Sequence, residues 1–578
     1  MSPPSPSLTA VEDGNTHHGL ADLEPKSSIT GGVPRTKSPI PDDPNISSIE
    51  RGPFNEKLPV TTTGPVVEPS LDPEAKTGKS HIQLEHTNPD LFHALEKEHV
   101  YLTHQDEEGN YLVRSTRSDA QNPRNWPNWK RYGVVALASW LNILVCLCAS
   151  GYSTGVSEIE DKFGVSSEVG TLGLSLYLLG FATGPMTVAP LSEFFGRKIV
   201  YLVSWAVFTI FQIPLAIPPN IATVLVCRYI QGFAGSAPLA NTGGVVHDCF
   251  GIAEGGFAVG IYTLSSVIGP PVGNAVCGFF TQNVGEFNLF WFFLGLFGFH
   301  WFVILLLLPE TRDTIIMTRK ANALRKATGL ENIYAEHELD KKKPSYLWKT
   351  AMVRPFVFLM TEPITYLSAG INGFAYGMIF LSNEAFPLVF GEGNDGHNWS
   401  HSGVVNLTFL AYVVGGFLGF FSQPLQEHAY HRISARLGYP SPEARWWSSL
   451  WATFFLPIGL FIAAWTSYSY IPFIAPLIGF ACFGFGFYHI IGAILNGIVD
   501  SYGHYAASAL GGVVFVRNII GAAFPLFASQ MFKKLGNQWA LCLLAFLSCF
   551  LLPIPFLLYY KGKTIRAKSP YCATHFGH

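Results

Sequence analysis

The chain of 578 residues is 49% hydrophobic and 14% aromatic, yet only 13% of it is charged, about half the charge of an ordinary soluble domain. A soluble protein of this size could not cover itself with so little charge. The net charge of −3 hides an uneven distribution: residues 1–120 carry 10 Lys or Arg and 19 Asp or Glu, leaving 27 basic and 21 acidic residues for the rest. Those later basic residues cluster at the ends of apolar runs instead of forming a stripe on a polar surface, so nucleic acid is excluded as a partner. Cys146, Cys148, Cys227, Cys277, Cys482, Cys542 and Cys549 lie within apolar stretches and no CxxC pair occurs. They read as small hydrophobes, and neither a metal nor another cofactor is expected.

Residues 1–120 are rich in Pro, Ser, Thr, Gly and acids and hold too little apolar material to offset chain entropy, which predicts a disordered tail. A short amphipathic helix over Asp90 to Val100 is the one local alternative. The start lacks a basic stretch followed by an apolar core, so no cleavable secretory signal is expected. Beyond Lys130 apolar runs near 20 residues long recur, each able to cross a ~30 Å hydrocarbon layer as a helix. Twelve are predicted: about 132–152, 169–189, 198–217, 221–245, 257–280, 289–308, 355–382, 403–423, 447–466, 471–495, 506–530 and 538–560. A polar connection, Pro309 to Arg354, divides them six and six.

The resulting expectation is an all-α membrane protein of two six-helix bundles, 121–308 and 355–560, joined by a cytoplasmic loop at 309–354 and ending in a cytoplasmic tail at 561–578. Lys and Arg set the orientation. With both ends cytoplasmic, the inner connections receive Arg124, Lys130, Arg131, Arg197, Lys198, the cluster from Arg312 to Arg354, Arg432, Arg436, Arg445 and Lys561 to Lys568, and the outer ones only Lys162, Lys533 and Lys534. The sequon at Asn398 then faces outward as a glycosylation candidate, whereas the one at Asn45 stays bare. An internal match supports two related halves: PLSEFFGRK at 190–198, after span two, answers PLQEHAYHR at 424–432, after span eight.

Three further segments carry a family likeness. Glu193 to Lys198 (EFFGRK) resembles the signature between helices two and three of the major facilitator superfamily. Arg228 to Ser236 (RYIQGFAGS) resembles its helix-four signature, and Gly269, Pro270 and Gly273 (GPPVG), followed by Gly278, resemble its helix-five antiporter signature. NPRNW at 122–126, PETR at 309–312, NEAFP at 383–387, PEAR at 442–445, YGHYAAS at 502–508 and GAAFP at 521–525 narrow the likeness to fungal twelve-span drug:proton antiporters, over about 122 to 568. Asn274 and Cys277 stand where that family usually has Pro and Gly, which weakens inference about leak prevention.

Glu193, Gly196, Arg197 and Lys198 sit at a predicted membrane edge, where an acid, a helix end and cations could form a conformational latch; the bland alternative is that the cations only fix topology. Arg228 stands inside the fourth run and Arg517 in a comparable place in the eleventh, where an ionised side chain costs roughly 2.5–3.5 kcal/mol. Each either braces carbonyls or faces a cavity. For proton coupling, Glu362 inside span seven is the first choice and Glu384 an outer gate candidate, with Asp248 at the inner edge of span four. His300 and His489 can titrate, although lone histidines are usually satisfied by a neighbour. Small residues and Pro in helix five suggest a close-packed, bent rocking element. Trp140, Tyr177, Phe181, Tyr376 and Phe380 could line an apolar cavity or simply pack.

The resemblance and the residues together imply a proton-coupled exporter of xenobiotics or secondary metabolites, working by alternating access in the plasma membrane, or alternatively the vacuolar membrane. Its expected partners are the lipid bilayer, a small-molecule substrate and protons, and a monomer is expected. A polyamine or organic-acid carrier and a non-transporting nutrient receptor are the alternatives. An enzyme is not expected: no GxxxxGK[ST] loop is present, and Glu427, His428 and His431 lack a further ligand nearby.

Overall fold

The computed structural model describes residue 95 and residues 100–104, 110–116, 119–251, 254–339, 344–391 and 397–572. Long helices dominate. Before residue 309 the chain forms α1 (Asn128–Gly151), α2 (Val156–Phe163), α3 (Ser167–Phe195), α4 (Arg197–Ile210), α5 (Ile213–Ala216), α6 (Ile221–Cys249), α7 (Gly256–Val284) and α8 (Glu286–Leu307). The connection contains α9 (Asp313–Thr328) and α10 (Pro344–Thr361). After it come α11 (Pro363–Phe390), α12 (Ser402–Leu407), α13 (Leu410–Leu437), α14 (Trp447–Ala452), α15 (Phe455–Thr466), α16 (Ile474–Tyr502), α17 (Ala506–Leu551) and α18 (Pro553–Ala567).

Among the described residues ten helical stretches are long and apolar enough to cross a membrane. Helix α6 is outside that set although it has 29 residues, because Arg228, Gln231, Asn241 and Thr242, all buried, dilute its hydropathy. Helix α17 runs for 46 residues but contains one non-helical residue, Gly536, at φ 77° and ψ 162°, a conformation open to glycine and costly for a side chain. That residue separates the rods expected over 506–530 and 538–560.

The match between 190–198 and 424–432 holds in sequence but not in local structure. Gly196 ends α3 with φ 94°, and a Cβ there would lie 2.3 Å from a Glu310 carboxylate oxygen. The equivalent position is Tyr430, so α13 continues unbroken to Leu437 and is capped by left-handed Gly438. The expected loop after span eight is therefore helix.

The expectation of disorder through residue 120 is corrected for its last part. Strands β1 (Val100–His104) and β2 (Tyr111–Ser115) pair antiparallel, and β2 pairs parallel with β3 (Ile333–Tyr334) from the central connection. Val100, Leu102 and Val113 are buried with Ile316, Met317, Leu324 and Ile333. Alternation in VYLTH and YLVRS is a strand signal, masked in the sequence by the polar stretches around it. Asp119 locks the module to α9 through Lys320, 2.7 Å away, with both side chains at most 1% exposed; it also accepts from Ser115 Oγ and the Gln121 amide. Leu95, within the short helix expected over 90–100, is helical and buried; the rest of that stretch below residue 100, and Asn45, lie outside the described residues.

Breaking a buried pair from one side costs about 3–5 kcal/mol, more than so small a sheet can lose. Lys320→Ala should therefore speed proteolytic cleavage within 100–125 at least several-fold in limited digestion of the detergent-solubilised protein, while the thermal unfolding of the long helices stays unchanged. Equal digestion rates would show that the pair does not hold the module.

Candidate functional site

At the end of the helices that carries Arg197, the charged cluster is built from different acids than the sequence suggested. Glu193 is exposed and makes no ion pair with Arg197, whose Nε instead meets Asp248 at 3.2 Å, both side chains being nearly buried. Its Nη1 donates to Ser192 and to Asn241, and Gly244 is the close-approach position under the guanidinium. Glu310 accepts from the backbone N–H groups of Arg197, Lys198, Thr311 and Arg312, so its carboxylate caps the N-terminus of α4, where the helix dipole favours negative charge. Lys198 reaches the Leu305 carbonyl. On the connection just outside the spans, burial pushes the Asp313 carboxyl up, opposed by Arg124 and Arg312. The later helices repeat the theme: Arg445 pairs with Asp500 at 2.8 Å and Glu427 at 3.4 Å and stacks on Tyr430. Here the acid from the PLxE stretch does pair.

Arg228 is fully engaged. Its Nη groups donate to the Cys148 and Ala149 carbonyls at 3.1 Å and its Nε to Gly173 at 3.4 Å, while Tyr152 and Tyr177 sandwich the guanidinium. This is the bracing alternative, tying α1, α3 and α6 together. Beside it stands an acid that the sequence reading missed. Glu286, the first residue of α8, is 0% exposed, and neither carboxylate oxygen has a hydrogen-bond partner; the Arg228 charge acts on it without an ion-pair contact. Gly155 leaves the room it occupies. The expected span began at 289, so a polar residue before it read as connection.

Glu362 is not inside a helix. It lies between α10 and α11 in extended conformation because Pro363, lacking an N–H and disfavouring a helical predecessor, starts a new helix. Its carboxylate is buried and accepts from Tyr502 Oη at 2.9 Å. Glu384, six turns on, accepts from Thr171 Oγ1 at 3.3 Å, and its neighbour Asn383 accepts from Asn274 Nδ2 at 2.7 Å. Between these acids one face of α11 carries Thr365, Ser368, Asn372 and Tyr376, spaced by three or four residues, each buried with a polar side-chain atom that lacks a hydrogen-bond partner. Arg517 on α17, 3% exposed, lies over the Tyr376 ring at 4.3 Å, and its Nε and Nη2 are unpartnered. The neighbouring Asn518 donates to the Phe181 carbonyl of α3.

The remaining candidates divide. His300 is satisfied on both nitrogens, by Trp140 and the Leu296 carbonyl. His489 bonds Ser422 through Nε2, leaving Nδ1 unpartnered, and packs on Trp451. Helix α7 is continuous through Pro270 and Pro271. Its Gly269 and Gly273 leave room for α1 at Cys146 and Leu147, and Gly278 for Asn406 of α12. Tyr177, Phe181, Tyr376 and Phe380 are buried, whereas Trp140 is exposed. Among the described residues no cluster of His, Cys, Asp and Glu could hold a metal.

The family model of the Major Facilitator Superfamily matches residues 138–525. The chain belongs to that superfamily. Efflux pump FUB11 of Gibberella moniliformis is 36% identical over 80% of this chain and 78% of its own length. The multidrug transporter mdrA of Aspergillus fumigatus is 35% identical over 81% and 77%, and the efflux pump MFS2 of Trichophyton rubrum 35% over 80% and 77%. The protein is accordingly a multi-pass membrane transporter of that superfamily, acting on small molecules, and not an enzyme.

Within this superfamily member the two embedded arginines differ in how they are held, and stability measures the difference. Arg228→Ala strands three buried carbonyls and should cost about 3 kcal/mol or more, seen as a clear drop in the thermal unfolding midpoint in detergent. Arg517→Ala removes a charge without an acidic partner and should leave that midpoint unchanged or raised. Equal losses would show that both are braces.

Proposed function

We propose that the protein is a proton-coupled antiporter that exports xenobiotics or secondary metabolites by alternating access. In this reading the chain crosses the membrane twelve times: the ten apolar stretches are joined by α6, and Gly536 divides the last into two. Residues before 309 and after 354 form two six-helix bundles, both chain ends are cytoplasmic, and the transporter works as a monomer in the plasma membrane. Asn398, exposed beside the end of α11, is then an external glycosylation site.

The observation that carries the reading is that polar side chains are buried where the two proposed bundles meet. Thr171 bonds Glu384, Asn274 bonds Asn383, Asn518 bonds the Phe181 carbonyl and Tyr488 bonds the Gly260 carbonyl. Hydrogen bonds between helices also hold static bundles together, but bonds of this kind on the seam between two bundles are ones that a rocking transporter can exchange for water. Glu384 takes the outer proton and its release is relayed by Glu362 at the cytoplasmic end, with the buried Glu286 as a further titratable element in the first bundle. Gly196, Arg197 and Lys198, with Asp248 and Glu310, latch the cytoplasmic edge, and Gly269, Pro270, Gly273 and Gly278 give α7 the close contacts on which it pivots. His300, with both nitrogens engaged, plays a structural part, and His489 remains a lesser candidate for the proton.

Purified protein in sealed vesicles under an imposed pH gradient tests this. A panel of hydrophobic dyes should accumulate against its gradient with the native chain. Glu384→Gln should lose at least about 90% of gradient-driven accumulation, the scale expected when an essential proton carrier is removed, yet retain downhill exchange, and Glu362→Gln should slow it. Full proton-driven accumulation by Glu384→Gln would remove that residue from the coupling.

A further inference from the structure

We propose that Arg517 is the recognition point of a binding site for organic anions, so that the cargo is an aromatic or amphiphilic acid. The proposal rests on the exporter reading and deepens it. A guanidinium inside a membrane protein is costly unless its charge and its five N–H donors are answered. Arg228 shows the answered case, with three carbonyl bonds, two aromatic faces and an acid alongside. Arg197 and Arg445 show another, each paired with an acid. Arg517 has neither: it is 3% exposed, its Nε and Nη2 lack partners, and no carboxylate lies within ion-pair distance of it among the described residues.

Its surroundings suit a ligand better than a brace. Arg517 is eleven residues, about 17 Å, into α17, near the middle of a ~30 Å hydrocarbon layer. One face of the guanidinium lies on Tyr376, which leaves the in-plane donors Nε and Nη2 free in the geometry that grips a carboxylate or sulfonate with two parallel bonds. Tyr376 Oη has no oxygen or nitrogen partner; the Cys146 thiol of α1, a weak donor, is its neighbour and also faces Arg517. Asn518 Oδ1 and Asn372 Oδ1, the latter one turn below Tyr376, are buried and unpartnered too. Phe380 and Phe487 pack around the Tyr376 ring, supplying an apolar wall for the body of an amphiphile. Residues of both proposed bundles thus converge on one cation, and the row Thr365, Ser368, Asn372 and Tyr376 leads to it from the Glu362 end of α11. A cationic cargo would meet the guanidinium with no acid to offset it.

Three naphthalene probes of nearly equal shape separate the alternatives: naphthalene-2-sulfonate, permanently anionic; naphthalene-2-sulfonamide, neutral; and the trimethyl-2-naphthylammonium cation. Equilibrium dialysis with the full chain in detergent should show the anion binding about tenfold or more tightly than either other probe. Arg517→Gln should bring the anion down to the affinity of the sulfonamide, and Arg517→Lys, which keeps a charge but not the fork, should fall between them. Monodisperse elution of each variant controls for folding. Equal binding of the three probes, tighter binding of the cation, or an anion preference that survives Arg517→Gln would overturn the assignment. Sealed vesicles then separate this inference from the exporter reading. An anion that binds through Arg517 but is never moved by a pH gradient contradicts export and leaves the site standing. Gradient-driven movement of the cation without anion binding does the reverse.

Discussion

Every structural choice in this protein answers one constraint: a polar or charged group taken into the hydrocarbon layer must find its partner inside the protein. Long helices satisfy the backbone. The side chains then sort by how well they are answered. Arg228 binds three carbonyls, Arg197 and Arg445 each hold an acid, and Glu310 gathers four backbone N–H groups. Removing any one partner strands another, so such a contact yields only when a new partner takes the lost one's place. Other buried polar atoms have no partner, those on Glu286, Asn142, Ser175 and Asn241 among them; a row of them follows one face of α11 and ends at Arg517, where the cargo site is proposed.

The two arginine–acid clusters at the Arg197 end are related but not identical. In each, an arginine at the start of one helix reaches an aspartate at the end of another, Arg197 to Asp248 and Arg445 to Asp500. The second adds Glu427, which also lies against the start of α7 at Gly256, where a Cβ would come within 2.2 Å of its carboxylate. The first instead uses Glu310 from the central connection, so the connection is tied to the cluster. The hairpin β1–β2 and helix α9 extend that tie to the segment just before α1 through Asp119 and Lys320. In the proposed transport cycle, an end closed by charge pairs at several points opens only if several are exchanged together, which would make that transition cooperative rather than gradual.

Much of this was legible in the sequence. Apolar runs located most of the helices because hydropathy is what the bilayer reads, although α11 is offset by eight residues from the expected span and α13 runs 14 residues past its own; the Gly196, Arg197 and Lys198 run marks a helix break. Pairing partners were harder to see. Glu193 was chosen for Arg197 by closeness in sequence, whereas α6 turns back across the layer and delivers Asp248 from 51 residues on. Glu362 was placed within a helix because its surroundings are apolar, although Pro363 was there to signal a break. Glu286 escaped notice because hydropathy windows discard an acid at a boundary, and only the packing of Gly155 reveals that it is buried. The hairpin over 100–115 was lost in the average composition of the tail before it. In each case the missing information was which distant element covers the residue.

The claim on which the account turns is that the contacts at the two ends are exchanged rather than permanent. Spin labels at Glu254 and Arg432 report the Arg197 end, and labels at Asn283 and Ser402 the opposite end; all four positions are exposed. Double electron–electron resonance on the full chain in lipid, at acidic and at neutral pH, should show one distance lengthening as the other shortens, with two populations at each end. A single unchanging distance at both ends, in a protein that still transports, would contradict it.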